Sequence, residues 1–456
     1  MSYDRPTGTV HAEQGGMDPR PRDRCSLDPP PPMNPLTRSS APIALTNCRV
    51  IGAGDSTVSG PAYVLLEGRL ITRVGPMAEL ALPDHAGAYD LAGATLMPGL
   101  IDGHVHLLAN SSRNQQDIHL WNVTTFIEEQ TLHAARNAEI ALESGVTTVR
   151  DMAGSRPEIA VKHAVDDFVV RGARVVASGF VGMTAGHGDM FCPPGIERRL
   201  WKTADGPAAC RQLVREYARD GVDFIKLCTS GGVLSIGDRP HWRNYSSEET
   251  AAIVDEAHAL QMRVAAHAHT AAGIRQALEA GVDTIEHGSY LTHELAALMA
   301  QQGTWLCPTL TLSTFIVESG ESRGIPRDSL EKGIETHRSL LTSIRVAHEE
   351  GVKIFVGTDS CNTMAFGGHA RELELLQAAL GLSGKDTIKL ATQSTAEAVG
   401  LGEKTGRILP GYWADLLVVD GHPEEDCTLL QDARRIQLVI RDGAILLSRL
   451  RDVPGV

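Results

Sequence analysis

Strand-like apolar stretches stand near both ends of the chain, and short apolar runs recur at intervals between them. Residues 44–51 and 63–74 are rich in aliphatic and β-branched side chains, and a Glu67-Gly68 turn breaks the second stretch into a pair of strands. Residues 414–420 and 436–447 have the same character at the other end. Two short β-rich ends predict a small β-sandwich domain assembled from both termini, over residues 41–96 and 404–456.

The middle alternates apolar runs with helical stretches. The runs fall at 100–102, 147–150, 174–177, 224–227, 264–267, 284–286, 305–307 and 354–357. About eight strands separated by helices predict an α/β fold, a (β/α)8 TIM barrel, over residues 97–403. Residues 246–258 open with hydroxyl side chains followed by acids, the signature of a helix start. Turns such as Ser144-Gly-Val and Ala280-Gly-Val end a helix on glycine and begin the next strand on valine. The first 40 residues differ: the run Asp28-Pro-Pro-Pro-Pro-Met33 and the scarcity of β-branched and aromatic residues predict a disordered Pro-rich tail. Met17 and Met33 are alternative natural starts.

Composition narrows the class further. At 456 residues, with 42% hydrophobic and 21% charged residues, the chain has the make-up of a globular protein with a large core. Only 4% is aromatic while glycine reaches 45 residues, which suits a many-turned α/β protein. A net charge of -14 argues against nucleic acid or an anionic membrane as the main partner. No stretch approaches the roughly 18 unbroken apolar residues of a membrane span. The N-terminal region lacks the apolar core of a secretory signal, and the eight cysteines form no CxxC pair. The expectation is a cytoplasmic protein with reduced thiols.

The chemistry gathers at strand ends. In Met97-Pro-Gly-Leu-Ile-Asp-Gly-His-Val-His106, His104 and His106 share one strand face and can bind one ion together. An HxH pair alone is weakly specific. Lys226, His267, His287 and Asp359, however, each stand at the C-terminal end of a different predicted strand. In a barrel those ends converge on one face, so the joint pattern predicts a metal site. His187 and Tyr245 sit in loops after predicted strands, where either could hydrogen-bond substrate or could simply cap and pack. Arg150 could pair with a substrate carboxylate, Asp151 or Asp189, and His269 shares the face of His267. Cys361 is a nucleophile for which a metal-dependent reaction has no role.

From residue 43 to residue 426 the chain resembles the amidohydrolase superfamily. Within it, the likeness is to the group of Xaa-Pro dipeptidases and related carboxypeptidase-like and ochratoxin-hydrolysing enzymes. The landmarks are the HxH segment, Thr147-Thr-Val-Arg-Asp151, Gly186-His-Gly-Asp189, Ile225-Lys-Leu-Cys-Thr-Ser-Gly-Gly-Val233, Ala266-His-Ala-His269, Ile285-Glu-His-Gly288, Gly357-Thr-Asp359 and Gly411-Tyr-Trp-Ala-Asp-Leu-Leu-Val-Val-Asp420. The Lys226 segment points to this particular group.

By that resemblance His104, His106 and Asp359 bind one divalent ion, His267 and His287 bind a second, and carbamylated Lys226 bridges them. Zinc is the first expectation, with cobalt or manganese possible in vitro. A water between the ions would ionise near neutrality and attack an amide carbonyl, and Asp359 would carry its proton to the leaving nitrogen. His187 and Tyr245 are the candidate substrate contacts. The implied substrate is a dipeptide or N-acyl amino acid, and relatives suggest a homo-oligomer. Carbamate, urea or cyclic-amide hydrolysis within the superfamily, and a non-catalytic scaffold, are the alternatives.

Overall fold

The computed structural model describes residues 41–52, 60–111, 115–192, 201–235, 237–361 and 364–450, with the backbone alone for 115–119. The predicted tail, 1–40, lies outside them. In chain order the strands are β1 (Ile43–Val50), β2 (Ala62–Glu67), β3 (Leu70–Pro76), β4 (Gly87–Asp90), β5 (Thr95–Pro98), β6 (Leu100–Val105), β7 (Val146–Asp151), β8 (Arg174–Phe180), β9 (Phe224–Cys228), β10 (Arg263–Ala268), β11 (Thr284–His287), β12 (Trp305–Cys307), β13 (Leu416–Val419), β14 (Ile436–Arg441) and β15 (Ala444–Ser448).

Strands β6 to β12 pair in sequence order as a seven-stranded parallel sheet, with helices between consecutive strands. The expected eighth strand, 354–357, forms no regular ladder, yet its backbone closes the ring from both sides. Phe355 N donates to Leu306 O (3.1 Å), and Gly103 N donates to Val356 O (2.8 Å). Asp359 N donates to His104 O and His106 N to Ser360 O, each at 2.8 Å. Crowding explains the irregular path: a Cβ on Gly357 would strike Cys307 Sγ and lie 2.7 Å from His104 Cβ. The barrel is therefore nearly closed, by seven strands and one extended segment.

Strand alternation sorts the side chains. Ile225, Leu227, Val264 and Ala266 belong to the large core shared with the helices. Phe224 and Ala265 sit in a separate cluster with Val176 and Met152, on the faces that also carry Lys226 and His267. Helix Ser247–Ala259 begins on the expected signal, with Ser246 Oγ accepting from Glu249 N and Glu249 reaching back to Ser246 N. Gly281, at φ +87°, closes helix Ala271–Ala280 in the left-handed conformation before β11.

The terminal strands form one mixed sheet, in the order β15-β14-β13-β5-β1-β2-β3, with β4 beside β1. β1 pairs with β4 through 43–46 and with β5 through Arg49 and Val50, and it bends between them at Asn47, where φ is +52°. The sheet folds over a shared core that includes Leu45, Val64, Leu96, Leu416, Val418 and Ile440. On the opposite face of β13, Leu417 and Val419 join the barrel core, so each face of that strand is buried in a different cluster. Between the two, Arg174 of β8 holds the Asp415 carboxylate at 2.5 and 3.2 Å. The same carboxylate accepts from Thr405 Oγ1 (2.9 Å) and Asp442 N (2.7 Å).

No helix among the described residues is long and apolar enough to cross a membrane. All seven described cysteines are free.

Candidate metal centre

The C-terminal ends of the barrel strands surround a cavity of about 230 Å³. His104, His106, Lys226, His267, His287 and Asp359 all line it, as do His187, His269 and Cys361. Alternation accounts for Lys226 and His267, which continue the inward faces of β9 and β10. Alternation does not account for His287 and Asp359, whose left-handed φ values of +73° and +56° turn their side chains inward against the usual preference of such residues.

The imidazoles are prepared as neutral ligands. The Glu286 carboxylate accepts from His104 Nδ1 at 2.8 Å, so the proton resides there and Nε2 offers its lone pair. That Nε2 lies 3.5 Å from Asp359 Oδ1, and His106 Nε2 lies 3.0 Å from the same oxygen. His287 Nδ1 is held by Thr309 Oγ1 at 2.7 Å. Donor atoms of His104, His287 and Asp359 lie within 4.8 Å of one another, and so do those of His267, His269 and His287. Burial pushes His104 below its ordinary pKa and His267 and His287 well below theirs, and it takes His269 down to about 3. The neighbouring imidazole of His187 adds to the effect at His267 and His269. Burial pushes the Asp359 carboxyl up, but His104, His106 and Lys226 outweigh it and hold it below its usual value.

Lys226 is buried, at 4% exposure, and among the described residues its side-chain nitrogen makes no hydrogen bond or ion pair. Desolvation lowers its pKa against the attraction of Glu286. A buried lysine without a hydrogen-bond partner is a costly arrangement, which the charges of Glu286 and Asp359 offset only in part.

His187 stacks on His267 with ring centroids 4.3 Å apart, and its Nδ1 lies 3.0 Å from Ser235 Oγ and 3.3 Å from Asp238 Oδ2. Burial pushes Asp238 up, but His187, Gly232 N and Ser235 overcome it and keep the carboxylate below its ordinary value. Tyr245 lies apart from this group. Its hydroxyl donates to Gly182 O at 2.6 Å, the ring is 1% exposed, and it does not line the cavity. In this arrangement its hydroxyl is engaged by the backbone and its ring packs in the core.

Arg150 also turns away from substrate. It donates to Gly103 O (2.6 Å) and Glu286 Oε1 (2.7 Å) between the rings of Phe224 and Phe355, and it does not line the cavity. Glu286 is therefore a residue that the sequence reading missed. Burial pushes its carboxyl up, and Arg150 and His104 together bring it well below its usual range. A charged side chain on the inward face of a buried strand was the available signal. Asp102 was missed too. One oxygen accepts from His104 N (3.1 Å) and Thr358 N (3.0 Å), and the other from Thr358 Oγ1 and His369 Nδ1, both at 2.6 Å. It ties β6 to the closing segment that carries Asp359.

The barrel and its histidine-rich mouth define a class. The family model described as the amidohydrolase family matches residues 95–446, and the chain belongs to that family. It is 30% identical to the ochratoxinase of Aspergillus niger over 436 residues, covering 91% of this chain and 88% of the relative. Among solved structures, a prolidase complexed with N-methylphosphonate-L-proline superposes with a TM-score of 0.82 at 30% identity, covering 90% of this chain and 100% of that one. A Xaa-Pro dipeptidase with bound methionine gives 0.80 at 28%, covering 89% and 99%. The chain is thus a hydrolase acting on amide bonds, which removes the scaffold alternative. The family generally uses metal ions, and the His/Asp clusters above are the possible sites.

Proposed function

We propose that this chain is a binuclear metal-dependent amidohydrolase that cleaves the amide bond of a dipeptide or an N-acyl amino acid. One observation carries the reading: a buried, unpartnered Lys226 stands among neutral imidazoles and Asp359 on one cavity wall. The donor set fits divalent ions of the zinc type. His104, His106 and Asp359 would hold the first, His267 and His287 the second. Lys226, depressed in pKa and free to react with carbon dioxide, would bridge them as a carbamate. His269, whose Nδ1 is 2.8 Å from Ser289 Oγ, lines the wall beside them.

Bound ions would polarise the scissile carbonyl and make water nucleophilic at neutral pH. The chain's own residues supply the rest. Asp359 takes the proton of the nucleophilic water and delivers it to the leaving nitrogen. His187, its Nδ1 anchored on Asp238 and Ser235, presents Nε2 to hydrogen-bond the substrate. Glu286 fixes the tautomer of His104 from behind. The relatives support the substrate class, since a prolidase and an ochratoxinase both act on such bonds.

The test is metal content by plasma mass spectrometry on wild type and Lys226→Ala, beside hydrolysis of a panel of Xaa-Pro dipeptides and N-acyl amino acids. About two ions per chain, lost together with activity in the variant, is the expected result. One ion or none in folded, inactive wild type would overturn the bridged site.

A further inference from the structure

Glu158 is the one carboxylate besides Asp359 among the described residues of the cavity wall. It belongs to helix Arg156–Asp166, where it is the third residue of a capping box: its Oε2 accepts from both Ser155 N and Ser155 Oγ at 2.9 Å. Capping alone explains neither its burial nor its second oxygen. The equivalent Glu249 at the start of helix Ser247–Ala259 is half-buried and uses both oxygens, one on Ser246 N and one on Gly206 N. Glu158 is 1% exposed, and among the described residues its Oε1 accepts no hydrogen bond from another residue.

A second buried carboxylate faces it. Asp151 accepts from Leu107 N (2.6 Å) and Ala153 N (3.2 Å), and its charge raises the Glu158 pKa. Among the described residues no Lys or Arg pairs with either acid. Burial first, then Asp151, pushes Glu158 up to about 8. The cavity wall also carries Leu108, Ile127 and Met152, together with the uncharged polar side chains of Asn122 and Gln130. The fold has thus buried two carboxyl groups near one another beside the reaction centre; the His106 imidazole acts on Asp151, and burial favours the neutral form of Glu158 until a positive charge arrives.

We propose that Glu158 is a specificity-determining residue that receives the free ammonium group of the substrate, and so selects dipeptides with an unblocked amino terminus over N-acylated compounds. The proposal rests on the amide-hydrolase reading above and sharpens it. An ammonium brings three donors and the missing positive charge, so one donor can take Oε1 while Oε2 keeps its cap. A neutral acylated nitrogen offers one weak donor and no charge to draw the Glu158 carboxyl into its ionised form.

The experiment uses metal-loaded wild type and Glu158→Gln, in which the amide oxygen can still accept from Ser155. Kinetics are compared on an Xaa-Pro dipeptide and its N-acetyl counterpart, and calorimetry compares L-leucinamide with N-acetyl-L-leucinamide. Wild type is expected to favour the free amine. In Glu158→Gln, kcat/KM and affinity for the free amine fall about tenfold or more, with the acetylated partner unchanged. Equal loss on both ligands would assign Glu158 to capping alone. An absent wild-type preference would overturn the proposal even if the variant failed to fold. Glu158-dependent amine binding without hydrolysis of either peptide would instead overturn the dipeptidase reading and leave the selector standing.

Discussion

Glu286 does not touch the cavity, yet it holds two of the side chains around it. Its oxygens divide between Arg150 and His104, both buried, so each depends on the same carboxylate. Glu286→Gln would leave the Arg150 charge buried without its counter-ion and a single amide oxygen to serve both Arg150 and His104. The expected cost is about 3–5 kcal/mol of stability in urea unfolding. Metal retention against a chelator should weaken by about 10- to 100-fold. Wild-type values for both would show that Arg150 and His104 hold their places without it. At this scale the ligand residue types were readable from the sequence, because a histidine or lysine among apolar neighbours at a strand end has few other uses. Glu286 was not, because its function lies in partners 136 and 182 positions away.

Among the elements, the closing segment differs most from its sequence pattern. An apolar run at 354–357 reads as a strand like its neighbours, and seven of the eight expected runs are strands of the sheet. The eighth stays irregular because it must pass close to β6 and β12 and then turn Asp359 inward at positive φ. Gly357 permits that approach. Gly357→Ala should cost about 1–3 kcal/mol, measured by thermal denaturation, because the new methyl group meets Cys307 and the His104 side chain together. A melting temperature equal to wild type would mean that the segment has slack, and that crowding does not set its path.

Across the whole molecule, the terminal sheet and the barrel share a polar joint at Asp415. Arg174, Thr405 and Asp442 meet on its carboxylate, and Trp413 lies beneath Arg174 and Arg69 at 4.5 and 4.3 Å from their guanidinium carbons. Asp415→Ala should therefore destabilise the fold by about 3–5 kcal/mol, since it strands a buried guanidinium. The cavity residues lie at the other end of β8 from Arg174, so kcat at low temperature should match wild type. A fall in kcat without a fall in melting temperature would contradict a purely structural joint.

The periodicity of apolar residues was enough to determine the barrel, the terminal strands and the positions of Lys226 and His267, because strand alternation is a local property of the backbone. Helix starts at Ser246 and stops at Gly281 were equally local. Tertiary structure alone decided which polar residues face which. It withdrew Tyr245 to the backbone of residue 182, sent Arg150 to Glu286, and placed Glu158, which caps its helix, on the cavity wall as well. Those outcomes depend on distances between elements far apart in the chain, and burial sets their energies only after the chain has folded around them.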